Sequence, residues 1–383
     1  MTSFSRHIMC LSALSLSIGA GLPAQAQPAS EQAATDPEPH ERQLELDDCA
    51  LVRNGVSRLA CFDDIMQPSR RQSSVSEETL DQVEEKTDVL VPHDTEAAKN
   101  GEPVEQSAKP GRYMEAVVKR RSASEKALFS FSGAFLAHRP MYLMPFTWVH
   151  EQNDSPYSPR TGSFTYDNEL DNQEAKYQIS FKIPLLTGVL DGRTTLWFAY
   201  TQLSLWQVYN TDSSAPFRET NYQPELFVRY RSDWDLGPGA IDYLSISFNH
   251  ESNGRSEPES RSWNRILGSA TYTYGRWLFM VNPWYRIPEN EEEDDNPDIE
   301  NYLGYANYWA IYKWNQNYTL SLKMLNNLKA DDNKTSVQLG FSFPVGDNLK
   351  GYVQYYNGYG ESLIDYNERI NRIGIGLMLN DWL

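Results

Sequence analysis

From residue 140 onward, apolar and polar residues alternate in runs of roughly ten, and no stretch after residue 26 reaches the ~18 consecutive apolar residues that a membrane-spanning helix needs. A period of two gives a strand one apolar and one polar face. Such runs are read at 140–149, 175–184, 194–206, 222–231, 241–251, 264–274, 276–286, 302–313, 317–326, 335–343, 349–358 and 370–379. They number twelve, and an even count is what a closed antiparallel barrel in a bacterial outer membrane requires. Asp191-Gly192, Tyr274-Gly275 and Gly346-Asp347-Asn348 each lie between two alternating runs, as hairpin turns do. The expected fold is therefore all-β, a twelve-stranded transmembrane barrel.

What precedes the barrel differs in kind. Residues 1–26 read as a secretory signal: Arg6 and His7, an apolar run from Ile8 to Leu22, then Ala24-Gln25-Ala26 as a small-residue cleavage site. Cys10 would leave with that peptide. In the exported segment 27–66 the two remaining cysteines, Cys49 and Cys61, are expected to pair as a disulfide, since an even count in an oxidising compartment favours pairing. Two cysteines are too few for a zinc site. Residues 67–121 read as a disordered acidic periplasmic linker, with a short helix expected over Tyr113 to Lys126. Phe62 to Lys109 holds twelve acidic and five basic residues and too little apolar surface to offset chain entropy. The barrel domain is placed at 122–383, and all ten Trp lie from Trp148 onward, the confinement that interfacial girdles need. A formal net charge of −18 with no basic stripe argues against nucleic acid as a partner.

One stretch carries chemistry. Leu244, Ile246 and Phe248 form the apolar side of a strand, and His250 and Ser252 continue the same register. Two residues apart on a strand, imidazole and hydroxyl project from one face and can act as base and nucleophile. A serine two residues from a histidine is common by chance. What singles this pair out is that two polar groups close an otherwise apolar stripe. Across a loop rich in Gly, Ser, Pro and Asn, the next run brings Asn264 onto the face of His250 and Ser252 if the two segments pair as a hairpin. An amide there can fix the histidine tautomer as the third member of a triad. Gly254, just after the nucleophile, is the best candidate to offer a backbone N–H to an oxyanion. With the apolar stripe facing lipid, the triad would stand on the outer wall near the membrane boundary, where an ester held in the bilayer reaches the serine. A lipid is therefore the preferred substrate over a soluble ester.

Asn249-His250-Glu251-Ser252-Asn253-Gly254-Arg255-Ser256, followed by Ser260-Arg261-Ser262-Trp263-Asn264-Arg265, resembles the active-site signature of the outer membrane phospholipase A family. Pro216-Phe217-Arg218-Glu219-Thr220-Asn221-Tyr222, Asp294-Asp295-Asn296-Pro297-Asp298-Ile299 and Gly358 to Asn367 resemble that family in order, and the likeness runs from about Ser122 to Leu383. It implies an outer-membrane enzyme that hydrolyses phospholipid acyl esters at either position, lysophospholipids included. It also implies one calcium ion per active site at a dimer interface, and a homodimer as the active form. Carried over residue by residue, the metal positions are the carbonyl of Arg255, the hydroxyl of Ser260, and a serine of a second subunit's Ser213-Ser214 pair. Ala215 intervenes before Pro216, so counting back from the proline selects Ser214 while aligning the pair leaves Ser213 open. Gln202 matches a polar residue on the family's lipid-facing dimer surface; without the resemblance it reads as an inward-facing barrel residue. Asp294, Asp295 and Asp298 lack regular calcium-loop spacing and are read as a solvated acidic surface loop. A passive pore and a lipopolysaccharide deacylase on the same barrel are the competing functions.

Overall fold

A computed structural model describes residues 111–382 apart from 133–134, 190 and 347–348. The secretion signal, the Cys49–Cys61 pair and the linker up to residue 110 lie outside the described residues.

Twelve strands follow in chain order: β1 Met141–Val149, β2 Gln173–Val189, β3 Thr194–Trp206, β4 Phe217–Leu236, β5 Gly239–Ser252 and β6 Ser262–Tyr274. The second half holds β7 Trp277–Arg286, β8 Ala306–Lys313, β9 Thr319–Asn326, β10 Thr335–Val345, β11 Leu349–Tyr359 and β12 Arg369–Asn380. Each pairs antiparallel with its neighbour in sequence, and β12 returns to β1 with Ile373 opposite Trp148, closing the sheet. Closure removes the sheet edges that would otherwise leave backbone N–H and C=O groups unpaired in lipid.

The alternation sorts side chains to two environments. Leu226, Ile246, Phe248 and Ile266 remain 43, 60, 50 and 42% exposed on the outer face. Their inward neighbours Ser247, Asn249 and Arg265 are buried. Apolar area left in water is unfavourable by ~25 cal/mol per Å², so such a wall belongs in hydrocarbon. Exposed aromatics mark both rims: Trp148, Tyr222 and Tyr285 at the end carrying the long loops, and Trp234, Tyr274, Trp277 and Tyr318 at the end carrying the short turns. No described helix is long and apolar enough to cross a membrane.

The interior is polar and tightly paired. Arg218 bonds Glu174 and Asp365, each at 2.7 Å, and Arg372 bonds Glu174 and Glu361, each at 2.8 Å. Lys176 reaches Glu361 at 2.8 Å. Buried charges of this kind are tolerable only when paired. At the short-turn end the helix α1, Tyr113–Ser132, lies against the inner wall, with Met114, Val117 and Val118 packed on Leu278 and Ile311. Its Glu125 meets the inward-facing Lys182 at 2.8 Å, and Arg229 at 3.4 Å. The helix begins at Tyr113 as expected and runs on past Lys126 to Ser132.

Candidate active site

β5 and β6 build the site. His250 stands directly opposite Asn264 in their ladder, and Ser252 opposite Ser262. The even-numbered residues Ile246, Phe248 and Ile266 are on the outer face, so His250, Ser252 and Asn264 share it, at the long-loop rim. His250 Nδ1 lies 2.9 Å from Asn264 Oδ1, and among the described residues this is the one hydrogen bond made by the His250 side chain. Ser252 completes the row, two residues beyond His250 on the same strand.

The inner face of the same two strands is locked. Arg265 donates to Asn249 at 2.7 Å and to Glu251 at 2.6 Å, and Trp263 Nε1 donates to Glu251 at 3.1 Å. Arg265 also covers the buried Trp263 ring at 3.8 Å. Charge-assisted bonds of this kind hold the backbone that carries His250, Ser252 and Asn264 without touching its outer face.

Beyond Ser252 the chain turns through a loop organised by the buried Asn253. Its Oδ1 accepts the backbone N–H groups of Arg255 at 3.3 Å and Arg261 at 3.0 Å, and its Nδ2 donates to the Glu259 carbonyl at 2.8 Å. Gly254 has φ +65°, and a Cβ there would come within 3.2 Å of the Tyr222 ring. Asn253 was not foreseen from sequence. Its signal is adjacency to Ser252, since its partners depend on loop closure.

The expected metal positions lie on this loop and on the turn before β4. Ser260 Oγ donates to Asp295 Oδ2 at 2.5 Å. The Arg255 guanidinium is drawn onto Glu259 and lies 3.5 Å from Glu219. Ser214 is exposed with φ +57°, followed by Ala215 at φ +50°, whereas the Ser213 hydroxyl is buried without a hydrogen-bond partner. No cluster of three His, Cys, Asp or Glu side chains suited to a metal is present among the described residues. Hydroxyl, carbonyl and carboxylate oxygens are the ligand class calcium takes, and a set dominated by neutral oxygens fits a weak site completed by water.

One reading needs revision and one alternative is set aside. Asp294 and Asp295 are not solvated: both are buried, Asp294 bound to Arg286 at 2.5 Å and Asp295 to Arg160. Asp298 accepts from the Tyr366 hydroxyl. Gln202 does not face inward. It pairs with the exposed Ile179 and Tyr222 on the outer face, and bonds Tyr200 at 3.1 Å and Tyr177 at 3.3 Å.

One further residue borders this row. Asn264 Nδ2 donates to Glu289 Oε1 at 2.9 Å, and the backbone N–H of Ile287 bonds the Asn264 carbonyl at 2.8 Å. Partial burial pushes the Glu289 carboxyl above its ordinary range, against the bond from Asn264, and nearby Asp294 raises it further.

A family model described as phospholipase A1 matches residues 117–379. A putative phospholipase A1 of Neisseria meningitidis serogroup B is 34% identical over 87% of this chain and 90% of its own length. Phospholipase A1 of Escherichia coli K12 is 38% identical over 61% of this chain and 78% of its own. Among solved structures, outer membrane phospholipase A from Escherichia coli superposes with a TM-score of 0.60 at 36% identity, covering 66% of this chain and 94% of that one. The Salmonella typhi outer membrane phospholipase, a dimer with bound calcium, gives 0.60 at 37% identity over 65% and 93%. An outer-membrane barrel with a polar row set in its apolar outer wall is thus matched over its full span by phospholipid hydrolases, and the chain belongs to the phospholipase A1 family.

Proposed function

We propose that Ser252, His250 and Asn264 hydrolyse phospholipid acyl esters by acyl transfer to water. His250 takes the proton of the Ser252 hydroxyl as its oxygen attacks the ester carbonyl, then gives that proton to the departing glycerol oxygen. A water, deprotonated by the same imidazole, attacks the acyl-serine; fatty acid leaves and Ser252 regains its proton. Asn264 orients the imidazole without adding charge, and the N–H of Gly254 faces the developing oxyanion. Because the row opens to the lipid side, acyl chains at either position and lysophospholipids reach it without leaving the bilayer.

Calcium, one ion per active site, would be held by the carbonyl of Arg255 and the hydroxyl of Ser260, with Ser214 of the partner subunit completing the protein ligands. When bound, it supplies positive charge beside the developing oxyanion. The active form is a homodimer that joins through the lipid-facing wall around Gln202. The calcium-bound dimer described for the Salmonella typhi relative supports this assignment, as do the exposure of Ser214 and the outer position of Gln202.

The observation that carries the triad is the 2.9 Å bond between His250 and Asn264 on the apolar outer wall. The test is fatty-acid release from mixed phospholipid–detergent micelles by wild type and Ser252→Ala, each with calcium and with chelator. Loss on mutation and on chelation is expected. Activity of the mutant would remove the nucleophile, and chelator-insensitive activity of the wild type would remove the metal.

A further inference from the structure

An asparagine can face its histidine in two ways, and only one makes the histidine a base. With Oδ1 toward Nδ1, the imidazole carries its proton on Nδ1 and leaves the Nε2 lone pair for Ser252. With the amide turned over, Nδ2 would point at Nδ1, the ring would hold its proton on Nε2, and no acceptor would face the serine. The two orientations have nearly the same shape, so packing alone discriminates poorly between them.

We infer that Glu289 is a positioning residue for the reaction, holding the amide of Asn264 in the orientation that makes His250 a base. Glu289 Oε1 accepts from Asn264 Nδ2 at 2.9 Å while Oδ1 faces His250 Nδ1 at the same distance. Turning the amide over would set Oδ1 against a carboxylate oxygen, exchanging a hydrogen bond for a repulsion. The backbone fixes where Glu289 stands. Arg286 pairs with Arg265 at the end of the β6–β7 ladder, and Ile287 N–H bonds the Asn264 carbonyl at 2.8 Å, so the chain passes beside Asn264 two residues before Glu289. The loop beyond is held by the Asp294–Arg286 pair at 2.5 Å. The role needs an acceptor that cannot also donate, which an ionised carboxylate is and a side-chain amide is not.

This inference rests on the triad proposed above. In the full-length protein, Glu289→Ala is expected to lower kcat by roughly 10- to 100-fold, the size found for partners that orient a working histidine, with KM for micellar phospholipid unchanged. Glu289→Gln, whose amide can accept from Nδ2 or donate to a turned-over Oδ1, should fall between wild type and Glu289→Ala. In an Asn264→Ala background, where no amide is left to orient, Glu289→Ala should cost less than about twofold more. A Glu289→Ala variant equal to wild type would overturn the inference. So would a full additional loss in the Asn264→Ala background. Activity surviving in Ser252→Ala or His250→Ala would instead sink the triad, and a neutral Glu289→Ala beside inactive Ser252→Ala and His250→Ala would sink this inference alone.

Discussion

His250 and Asn264 are directly opposed in a two-strand ladder, with Nδ1 2.9 Å from Oδ1, so sheet register sets which two side chains meet. A one-residue slip of β6 would carry Asn264 to the inner face. Removing the amide at fixed register should lower kcat by roughly 10²- to 10⁴-fold while leaving the barrel intact. Asn264→Asp should not rescue fully, since its carboxylate would stand against that of Glu289, whose oxygen is 2.9 Å from the present Nδ2. The double variant Asn264→Asp with Glu289→Gln should therefore exceed Asn264→Asp alone in kcat. Steady-state kinetics on mixed micelles decides, and an Asn264→Asp variant indifferent to residue 289 would count against this account.

Gly254→Ala probes the turn after Ser252, the proposed nucleophile. A side chain at φ +65° costs about 1–2 kcal/mol, and its Cβ would press on the Tyr222 ring at 3.2 Å. The turn must move to relieve this, taking the N–H with it. Loss of one oxyanion donor lowers kcat by roughly 10²- to 10³-fold, much more than the stability change alone would do to a folded sample. Comparing kcat with the urea midpoint separates the two effects; a fall in midpoint with kcat intact would remove Gly254 from the site.

Glu125 of α1 offers a stability test remote from the reaction. It faces Lys182 at 2.8 Å, Arg121 at 3.2 Å and Arg229 at 3.4 Å, and is itself 8% exposed. Glu125→Ala leaves buried cations without their counter-charge, which costs about 3–5 kcal/mol for a fully buried pair. Arg121 and Arg229 remain about one-fifth exposed, so the lower end of that range is expected. Urea unfolding in detergent measures it; a change below about 1 kcal/mol would mean that the helix is not held through this carboxylate.

All twelve strands were legible because the alternation is enforced on both sides, lipid outside and paired polar groups inside. Their ends were less so. β4 spans Phe217–Leu236 where 222–231 was expected, since Arg218 and Glu219 read as loop residues but are inward-facing and buried. The start expected at 302 falls on a helical turn, Glu300–Leu303, closed by Gly304 at φ +69°, so β8 begins at Ala306. His250, Ser252 and Asn264 were legible by parity along two strands. Glu289 was not, because its link to Asn264 runs through the backbone bond of Ile287. The acidic loop misled because its cationic partners lie outside it: Arg160, far away in the chain, pairs with Asp295, and Arg286, on the end of β7, pairs with Asp294.

Two adjacent serines separate the metal proposal from a structural reading of the same turn. Ser214 and Ala215 both take the left-handed conformation, and Ala215 is anchored by its N–H to the Asn210 carbonyl at 2.9 Å and by its carbonyl to Trp206 Nε1 at 2.8 Å. The residue inserted before Pro216 is thus absorbed within the turn, and Ser214 is left exposed. Ser213 turns its hydroxyl inward. Calcium held by few protein oxygens should weaken sharply when one is lost, so Ser214→Ala is expected to raise the calcium concentration for half-maximal activity by roughly 10-fold or more. Ser213→Ala removes a buried hydroxyl that has no partner and should shift that concentration less than about twofold. Calcium titrations of micellar activity read both, and the reverse order would move the ligand to Ser213. Equal, small shifts would mean that the ion is held without this turn.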